Sequence, residues 1–218
     1  MLKIYTNKSQ KIDSVDFESV KNSQISVFGF NFLGKVSYKY ELSGSENKLP
    51  ALASLSRRAR SIIIAGVVTD NYGILKKSAV IAENGKLLGI SDMTMSINGS
   101  EFTGSGCFKV YQTAVGRIGL LIGDDIINID GVKAMSLCDA DLIVAIIPAE
   151  EKPQHNFLIR AYAYLFGVPM LLLTKSSMLS SDIVGEICAK SIDEKLNVII
   201  PTKKQYIEVK SKRRGVKE

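Results

Sequence analysis

The chain of 218 residues has few of the residues that indicate a disulfide-stabilised or metal-dependent fold. Its three cysteines, Cys107, Cys138 and Cys188, are widely spaced, and none lies in a CxxC pair. An odd number of cysteines at such spacing indicates neither a disulfide framework nor a zinc site. His155 is the only histidine, and no other ligand lies at metal-binding spacing from it. We therefore expect no metal and no cofactor.

Long apolar runs are also absent. The longest, residues 62–68 and 142–148, have the length of strands, whereas a membrane helix needs roughly 18 apolar residues. Residues 1–8 lack the hydrophobic region of a secretion signal. Together with the sparse cysteines, these absences predict a cytoplasmic protein that does not bind membranes.

Positive charge is concentrated at one end of the chain. The formal net charge is +6, and residues 203–218 contain seven basic and two acidic residues. We interpret this segment as a basic C-terminal tail that follows a single domain, residues 1–202. Tyr206 is the only aromatic residue among the tail's charges. Because nucleic-acid binding typically combines basic patches with several aromatic stacking residues, we expect no nucleic-acid partner.

Short β-branched runs alternate with helical patterns, and the runs are too apolar for strands with one face in water. The Asn84-Gly85 pair predicts a hairpin between strands at 78–83 and 86–90. The other predicted strands are 2–6, 25–28, 62–68, 108–112, 118–122, 142–148, 169–174, 183–189 and 198–200. The predicted helices are 17–20, 49–59, 132–138 and 153–166. The mixture of helical crossovers and hairpins predicts an α/β fold with two mixed β-sheets face to face and helices outside.

Several passages occur in an order that matches one known family. IIIAGVV at 62–68 precedes KKSAVIAENGKLLG at 76–89, VGRIGLLIG at 115–123 precedes ADLIVAIIP at 140–148, and RAYA follows at 160–163. In this order and spacing the chain resembles the nitrilase, or carbon-nitrogen hydrolase, superfamily over nearly its whole length. The resemblance is to a divergent and shortened member, and it implies a nitrilase-like sandwich of two mixed β-sheets.

The family's chemistry requires a cysteine nucleophile, a glutamate base and a lysine. The thiolate attacks a nitrile or amide carbon, the carboxylate moves the proton, and the ammonium stabilises the developing oxyanion. The resemblance places the glutamate position on Phe30, the lysine position on Met93 and the cysteine position on Gly123. None of these side chains can perform its role, and loss of a nucleophile typically lowers kcat on the order of 10⁶-fold. The resemblance therefore implies a homologue without the family's catalytic residues.

Each of these replacements removes an energetic cost of the family's catalytic site. Glycine at 123 relieves the strain that the family's nucleophile bears at a strand-to-helix bend, and Phe30 and Met93 fill with apolar volume a pocket built for buried charges. The candidate residues of the remaining pocket are Phe30, Met93, Gly123, Asp124, Asp125 and His155.

Several residues near this pocket have a functional and a structural interpretation. Asp124 and Asp125 could bind a cation or activate a water, but carboxylates at this point are more commonly expected to cap or charge the following helix. Lys76 and Lys77 could replace the missing lysine from another direction, although charged strand ends more commonly face water. We expect His155 at the surface or a helix end, and Cys138 packed as a small hydrophobe rather than acting as a nucleophile.

A retained scaffold without retained chemistry predicts a binding, structural or regulatory protein. On this hypothesis the chain forms a homodimer, or a heteromer with a related subunit, through the helices that family members use. One alternative is an amidase- or nitrilase-type hydrolase of small amides or nitriles that works by an altered mechanism with Asp124, Asp125 or His155. Another is a sensor that binds a small molecule, not identified by the sequence, in the remaining pocket.

Overall fold

Thirteen strands form the framework of the computed structural model, which describes residues 1–95 and 100–201. The basic tail expected at 203–218 lies outside the described residues. The strands are β1 Leu2–Asn7, β2 Ile25–Phe28, β3 Lys35–Ser37, β4 Ile62–Asn71, β5 Ile74–Glu83, β6 Lys86–Asp92, β7 Val110–Thr113, β8 Gly116–Ile122, β9 Leu142–Ile146, β10 Met170–Leu173, β11 Met178–Ser181, β12 Ile187–Ser191 and β13 Lys195–Ile200.

Five α-helices and two short 3-10 helices connect the described strands. The α-helices are α1 Phe17–Lys21, α2 Tyr38–Ser43, α3 Lys48–Ala59, α4 Ile129–Leu137 and α5 Pro153–Phe166, and the 3-10 helices are Ile12–Ser14 and Gly123–Ile127. None of the described helices is long and apolar enough to cross a membrane.

The strands form two mixed sheets, as the sequence predicts. The first has the order β13-β1-β2-β4-β5-β6, with β3 paired to β4, and the second has the order β12-β11-β10-β9-β8-β7. Strands that follow a helical crossover pair in parallel, as β2 does with β4 and β8 with β9, while hairpin neighbours such as β5 and β6 are antiparallel. This division follows from geometry, because only antiparallel neighbours can be joined by a tight turn.

The central strands are buried on both faces, which explains their continuous apolar sequences. Ile64 of β4 and Leu120 of β8 belong to the core between the two sheets. The neighbouring Ile63 points to the other face, into a core that also contains Leu52 and Leu55 of α3. On the second sheet, Ile159 and other residues of α5 cover the outer face in the same way. The result is a sandwich of two β-sheets between outer helices, and this confirms the predicted fold.

Two regions differ from the prediction. The prediction of a single strand at 183–189 is wrong. The chain instead forms a hairpin of β11 and β12, and the first part of the predicted strand is the turn between them. The Asp182 carboxylate makes the turn by accepting hydrogen bonds from the backbone N–H groups of Val184 and Glu186, at 3.0 and 2.9 Å. Such a local side-chain turn competes with strand structure. The short elements β3 and α2 were not predicted at all.

Candidate functional site

Gly123 is placed where β8 ends and the 3-10 helix Gly123–Ile127 begins. Its φ angle is +58°, in the left-handed region that favours glycine. A Cβ atom built on this residue would lie 2.7 Å from Sδ of Met93 and 3.8 Å from Cδ of Lys77. The absence of a side chain therefore permits both the backbone turn and the close approach of Met93.

Met93 directly follows β6, and its side chain is only 2% exposed. Its backbone N–H donates to the carbonyl oxygen of Lys77 at 2.8 Å, and its own carbonyl oxygen accepts from the N–H of Ser105 at 2.8 Å. These bonds on both sides hold the residue at the end of the hairpin. The structure thus brings together two of the positions that the sequence singled out, Met93 and Gly123.

Phe30 lies two residues beyond β2 and packs on a glycine of the neighbouring strand. A Cβ atom at Gly66 would lie 2.6 Å from Cδ2 of Phe30 and 3.1 Å from Cγ2 of Ile146. The half-buried ring packs against the core between the sheets, to which Met93 also belongs. Apolar or absent side chains therefore occupy the three predicted positions, which follow the carboxyl ends of β2, β6 and β8.

The side chain of Asp125 has no exposed surface. Its Oδ1 atom accepts hydrogen bonds from the Thr94 N–H and hydroxyl groups, at 2.9 and 2.7 Å, and from the Met95 N–H at 2.9 Å. The carboxylate thus ties the residues after Met93 to the 3-10 helix. Burial raises the pKa of Asp125, although the hydrogen bonds from Thr94 and Met95 act in the opposite direction.

Asp125 does not cap α4, although it lies with Asp124 in the first turn of the 3-10 helix, where the expected acidic charge is present. The following helix, α4, is capped by Asn128, whose Oδ1 atom accepts from the Gly131 N–H at 3.1 Å. Asp125 lies too early in the chain to reach the first turn of that helix, and the 3-10 helix turns its carboxylate inward. For Asp124, which is half-buried, the described structure shows no hydrogen bond to the side chain.

His155 has the expected place at a helix end but is buried rather than on the surface, with 8% exposure. Its Nδ1 atom accepts from the Lys152 N–H at 3.2 Å, at the start of α5. Burial lowers the pKa of His155, the charge of Lys152 lowers it further, and the charges of Glu151 and Asp124 oppose this shift. The neutral ring that results carries its proton on Nε2, because Nδ1 is the acceptor. The Asp124 carboxylate favours the protonated form of His155, but no hydrogen bond joins the two side chains.

Lys77 enters this region although the sequence favoured a position in water. Its Nζ atom lies 4.8 Å from the centroid of the Phe102 ring, and its side chain passes beside Gly123. Lys76 points to the other face of the sheet and pairs with Asp92, with 2.8 Å between Nζ and Oδ2. Side chains along β5 alternate between the two faces of the sheet, and this alternation predicts opposite faces for the two lysines. Lys77 shares its face with Ala79 and Ile81 of the core between the sheets.

The cysteines lie outside this arrangement of packed side chains. Cys138 is exposed at the C-terminal end of α4, so the expectation that it packs as a small hydrophobe is wrong. The helix buries Val132 and Met135 instead. Cys107 is exposed and Cys188 is half-buried. Within residues 1–95 and 100–201, no group of three or more His, Cys, Asp or Glu side chains is placed to hold a metal ion.

A substitution at Gly123 tests the contact with Met93. Gly123→Ala is expected to destabilise the protein by about 1–3 kcal/mol, since it combines backbone strain with overpacking. Removing the Met93 side chain relieves the overpacking alone, so the double variant with Met93→Ala should show a coupling of about 0.5–3 kcal/mol in urea denaturation. Gly106→Ala is the control, because a Cβ there meets no atom within 4 Å. Additive effects of the two substitutions would contradict the contact.

Replacement of Asp125 tests its hold on the segment after Met93. Asp125→Asn turns an amide N–H₂ toward backbone donors, and we expect a loss of about 1–3 kcal/mol in the free energy of unfolding. Asp124→Asn is the matched control and should change stability by about 0.5 kcal/mol or less. Equal losses in the two variants would show that the hydrogen bonds of Asp125 do not stabilise the fold.

The same pair of proteins has a defined pH dependence. Because burial raises the folded-state pKa of Asp125 above the ordinary 3.8, the folded state retains this proton to a higher pH than the unfolded state. Above pH 3.8 the carboxyl group's contribution to stability therefore falls as the pH rises through the folded-state pKa. The stability advantage of the wild type over Asp125→Asn should be larger in acid than at neutral pH. An advantage that grows with pH would mean that the hydrogen bonds outweigh burial.

A family model and solved structures match this chain, whereas curated sequences do not. A search of curated protein sequences finds no match. In contrast, the family model described as carbon-nitrogen hydrolase matches residues 26–203. The chain is thus similar to this family from the second strand of the first sheet to the end of the described residues and slightly beyond.

Solved structures share the fold at low sequence identity. The carbon-nitrogen hydrolase from Helicobacter pylori G27 has a TM-score of 0.71 and 16% identity, with 91% of this chain and 88% of that chain covered. A cysteine-to-alanine mutant of the Nesterenkonia AN1 amidase, from the nitrilase superfamily, has a TM-score of 0.76 and 14% identity, with 90% and 89% covered. A complex of such a mutant with butyramide has a TM-score of 0.73 and 13% identity, with 90% of each chain covered. Since the family model spans most of the sequence and these structures share its fold, the protein belongs to the carbon-nitrogen hydrolase family.

Proposed function

We propose that the protein is a catalytically inactive member of the carbon-nitrogen hydrolase family that acts by binding, through association with a second copy of itself. The observation that carries this proposal is the identity of the residues at the three positions that the resemblance assigns to catalysis. Phe30, Met93 and Gly123 offer no proton acceptor, no charge and no nucleophile. Without an activated nucleophile the family's covalent route has no first step.

The packing around Gly123 supports the same conclusion. The sulfur of Met93 lies 2.7 Å from the point where a side chain on residue 123 would begin. A cysteine at this position would therefore need both a strained backbone and a displaced Met93 side chain. The Met93 side chain packs on Gly123 and fills the space that the side chain of a nucleophile at residue 123 would need.

The remaining acidic and basic candidates give weaker support to hydrolysis by another route. The Asp125 carboxylate is fully buried, and the N–H and hydroxyl groups of Thr94 and Met95 already use it as acceptor. The Nδ1 atom of His155 accepts from a backbone N–H. Both groups are engaged in holding local structure, whereas a general base must be free to take a proton from substrate or water.

An assay of ammonia release tests the absence of catalysis. We expect no release from butyramide or from small nitriles above the rate in buffer, because none of Phe30, Met93 and Gly123 can form or stabilise a covalent intermediate. An active amidase serves as the positive control. Turnover that Asp124→Ala or Asp125→Ala abolishes would overturn the proposal in favour of an altered hydrolytic mechanism.

The surface that would bind a second copy lies along α5. The exposed residues Phe157, Tyr164 and Leu165 recur at helical spacing, with 74%, 68% and 62% of their surface in water. Beside them lie Ile127 and Val184, which are 57% and 54% exposed. We call these five residues the α5 face. Contiguous exposed apolar residues of this size mark interaction surfaces more often than isolated ones do.

The shape of the α5 face favours a second copy of the chain as its partner. A hollow of about 580 Å³ lies beside Phe157, Tyr164 and Val184, and another of about 560 Å³ lies beside Ile127 and Phe157. Phe157 thus borders both hollows while most of its ring is exposed. Two-fold symmetric dimers need projections and hollows on the same surface, because the patch must be complementary to itself.

A charge in the α5 face should disrupt this dimer. Phe157→Asp buries an unpaired carboxylate in an apolar interface, so we expect the dimer dissociation constant to rise by about 30-fold or more. Sedimentation equilibrium of the purified protein measures it. Leu42→Asp on α2 is the control, since Leu42 is 82% exposed and outside the α5 face. A wild-type protein that is monomeric at every accessible concentration would contradict the homodimer and leave a related subunit as the alternative partner.

A further inference from the structure

The ring of His155 holds the first turn of α5 in place. Its Nδ1 atom accepts a hydrogen bond from the Lys152 N–H at 3.2 Å, and the His155 N–H donates to the Lys152 carbonyl oxygen at 2.9 Å. The first N–H groups of a helix have no partner within the helix, so a side-chain acceptor at this point stabilises the turn. The ring can accept only while Nδ1 carries no proton, because a protonated imidazole has two donors and no acceptor.

This first turn also forms part of the surface around the two hollows beside the α5 face. Pro153 borders the hollow of about 580 Å³ and the hollow of about 560 Å³, and Gln154 borders the second of them. Phe157 lies four residues after Pro153, on the same side of the helix, and also borders both hollows. The order of the first turn therefore determines the shape that a second copy of the chain meets.

A proton on His155 is unfavourable while the turn is ordered. The residue is only 8% exposed, and it lies at the N-terminal end of α5, where the aligned peptide dipoles oppose a positive charge. Burial and the charge of Lys152 lower the pKa of His155 from its ordinary 6.5. Below that pH a histidine in water takes up a proton that the ordered turn excludes. Acid therefore favours a conformation in which the turn opens and the ring reaches water.

The acidic groups near His155 do not offset this effect with an ion pair. Asp124 on the 3-10 helix and Glu151 just before α5 both favour the protonated ring through their charges, but burial and Lys152 outweigh them. Glu151 is paired with Lys190 instead, with 3.1 Å between Oε1 and Nζ. A protonated ring in the buried position would therefore lose its hydration without gaining a direct counter-charge.

In the described part of the chain, the other elements that pack on α5 add no charge that acts on His155. Strands β10 and β11 contain no charged residue. Helix α4 carries Asp130 and Lys133, which have opposite charges and are both exposed. The buried carboxylate of Asp125 accepts hydrogen bonds from Thr94 and is directed away from α5. The balance of charge around the ring is thus set by Lys152, Glu151 and Asp124.

We propose that protonation of His155 opens the first turn of α5 and thereby dissociates the dimer in acid. This inference rests on the proposed function, since it describes how association through the α5 face is regulated. His155 is a positioning residue in this scheme, because it is buried beneath the surface that the second copy contacts. Both copies need an ordered turn, so a threefold fall in the ordered fraction raises the dissociation constant about ninefold.

The dissociation constant of the untagged protein, measured by sedimentation equilibrium, tests this coupling. We expect it to rise about tenfold or more between about pH 7.5 and about pH 5, the range in which histidine titrates. His155→Gln is the matched variant, because glutamine at the third position of a helix accepts from the same backbone N–H and does not titrate. Its dissociation constant should change by less than about threefold over this range. His155→Ala lacks the acceptor and should form a weak dimer at both pH values.

His155 is the only histidine of the chain, so its ring protons give one assignable NMR signal. At the same protein concentration, the midpoint of its titration should coincide with the midpoint of dimer dissociation. Midpoints that differ by more than about one pH unit, or an equal rise of the dissociation constant in the wild type and in His155→Gln, would overturn the inference. A dimer of constant affinity over this range would overturn it as well and leave the proposed function intact. A protein that is monomeric at both pH values would instead contradict the proposed dimer itself, so the two failures are distinguishable.

Discussion

The contact between the two sheets is the constraint on which the rest of the structure depends. Side chains such as Ile64 and Leu120 meet in the core between the sheets, so the register of each strand is fixed by which residues point inward. The ends of β2, β6 and β8 are consequently fixed as well. Phe30, Met93 and Gly123 follow these ends, and they therefore keep their places whatever chemistry they carry.

Under the proposed function, this independence of scaffold and site allows catalytic residues to be replaced without loss of the fold. A buried thiolate, carboxylate and ammonium are stable only while each offsets the charge of the others. Once one of them is removed, the remaining charges are unfavourable, and apolar replacements become the more stable solution. The close packing of Met93 on Gly123, and of Phe30 on Gly66, has this character, since each glycine accommodates one large apolar side chain.

Sequence patterns predicted the features that depend on near neighbours or on strand burial. The Asn84-Gly85 hairpin and the central strands are of this kind. The hairpin of β11 and β12 was missed because its turn depends on the side chain of Asp182. The role of Asp125 could not be predicted, since it depends on hydrogen bonds from Thr94 and Met95. Those two residues follow a strand of the other sheet and reach Asp125 only because the sheets pack face to face. For Lys77 the alternation along β5 indicates its face, but the contact with Phe102 does not follow from any local pattern.

The site and the α5 face are joined by one short segment, and this restricts how either can vary. The 3-10 helix begins at Gly123, beside Met93 and Lys77, and ends at Ile127, which borders a hollow of the α5 face. Between these ends, Asp125 fixes the helix to the residues after Met93. The five-residue helix is held by the buried Asp125 carboxylate, so we expect it to move as a unit. A change in packing at Gly123 is therefore expected either to displace the Met93 side chain or to shift Ile127. The small size of glycine at 123 and the flexibility of methionine at 93 favour a local adjustment of the Met93 side chain, so the α5 face is insulated from changes at Gly123.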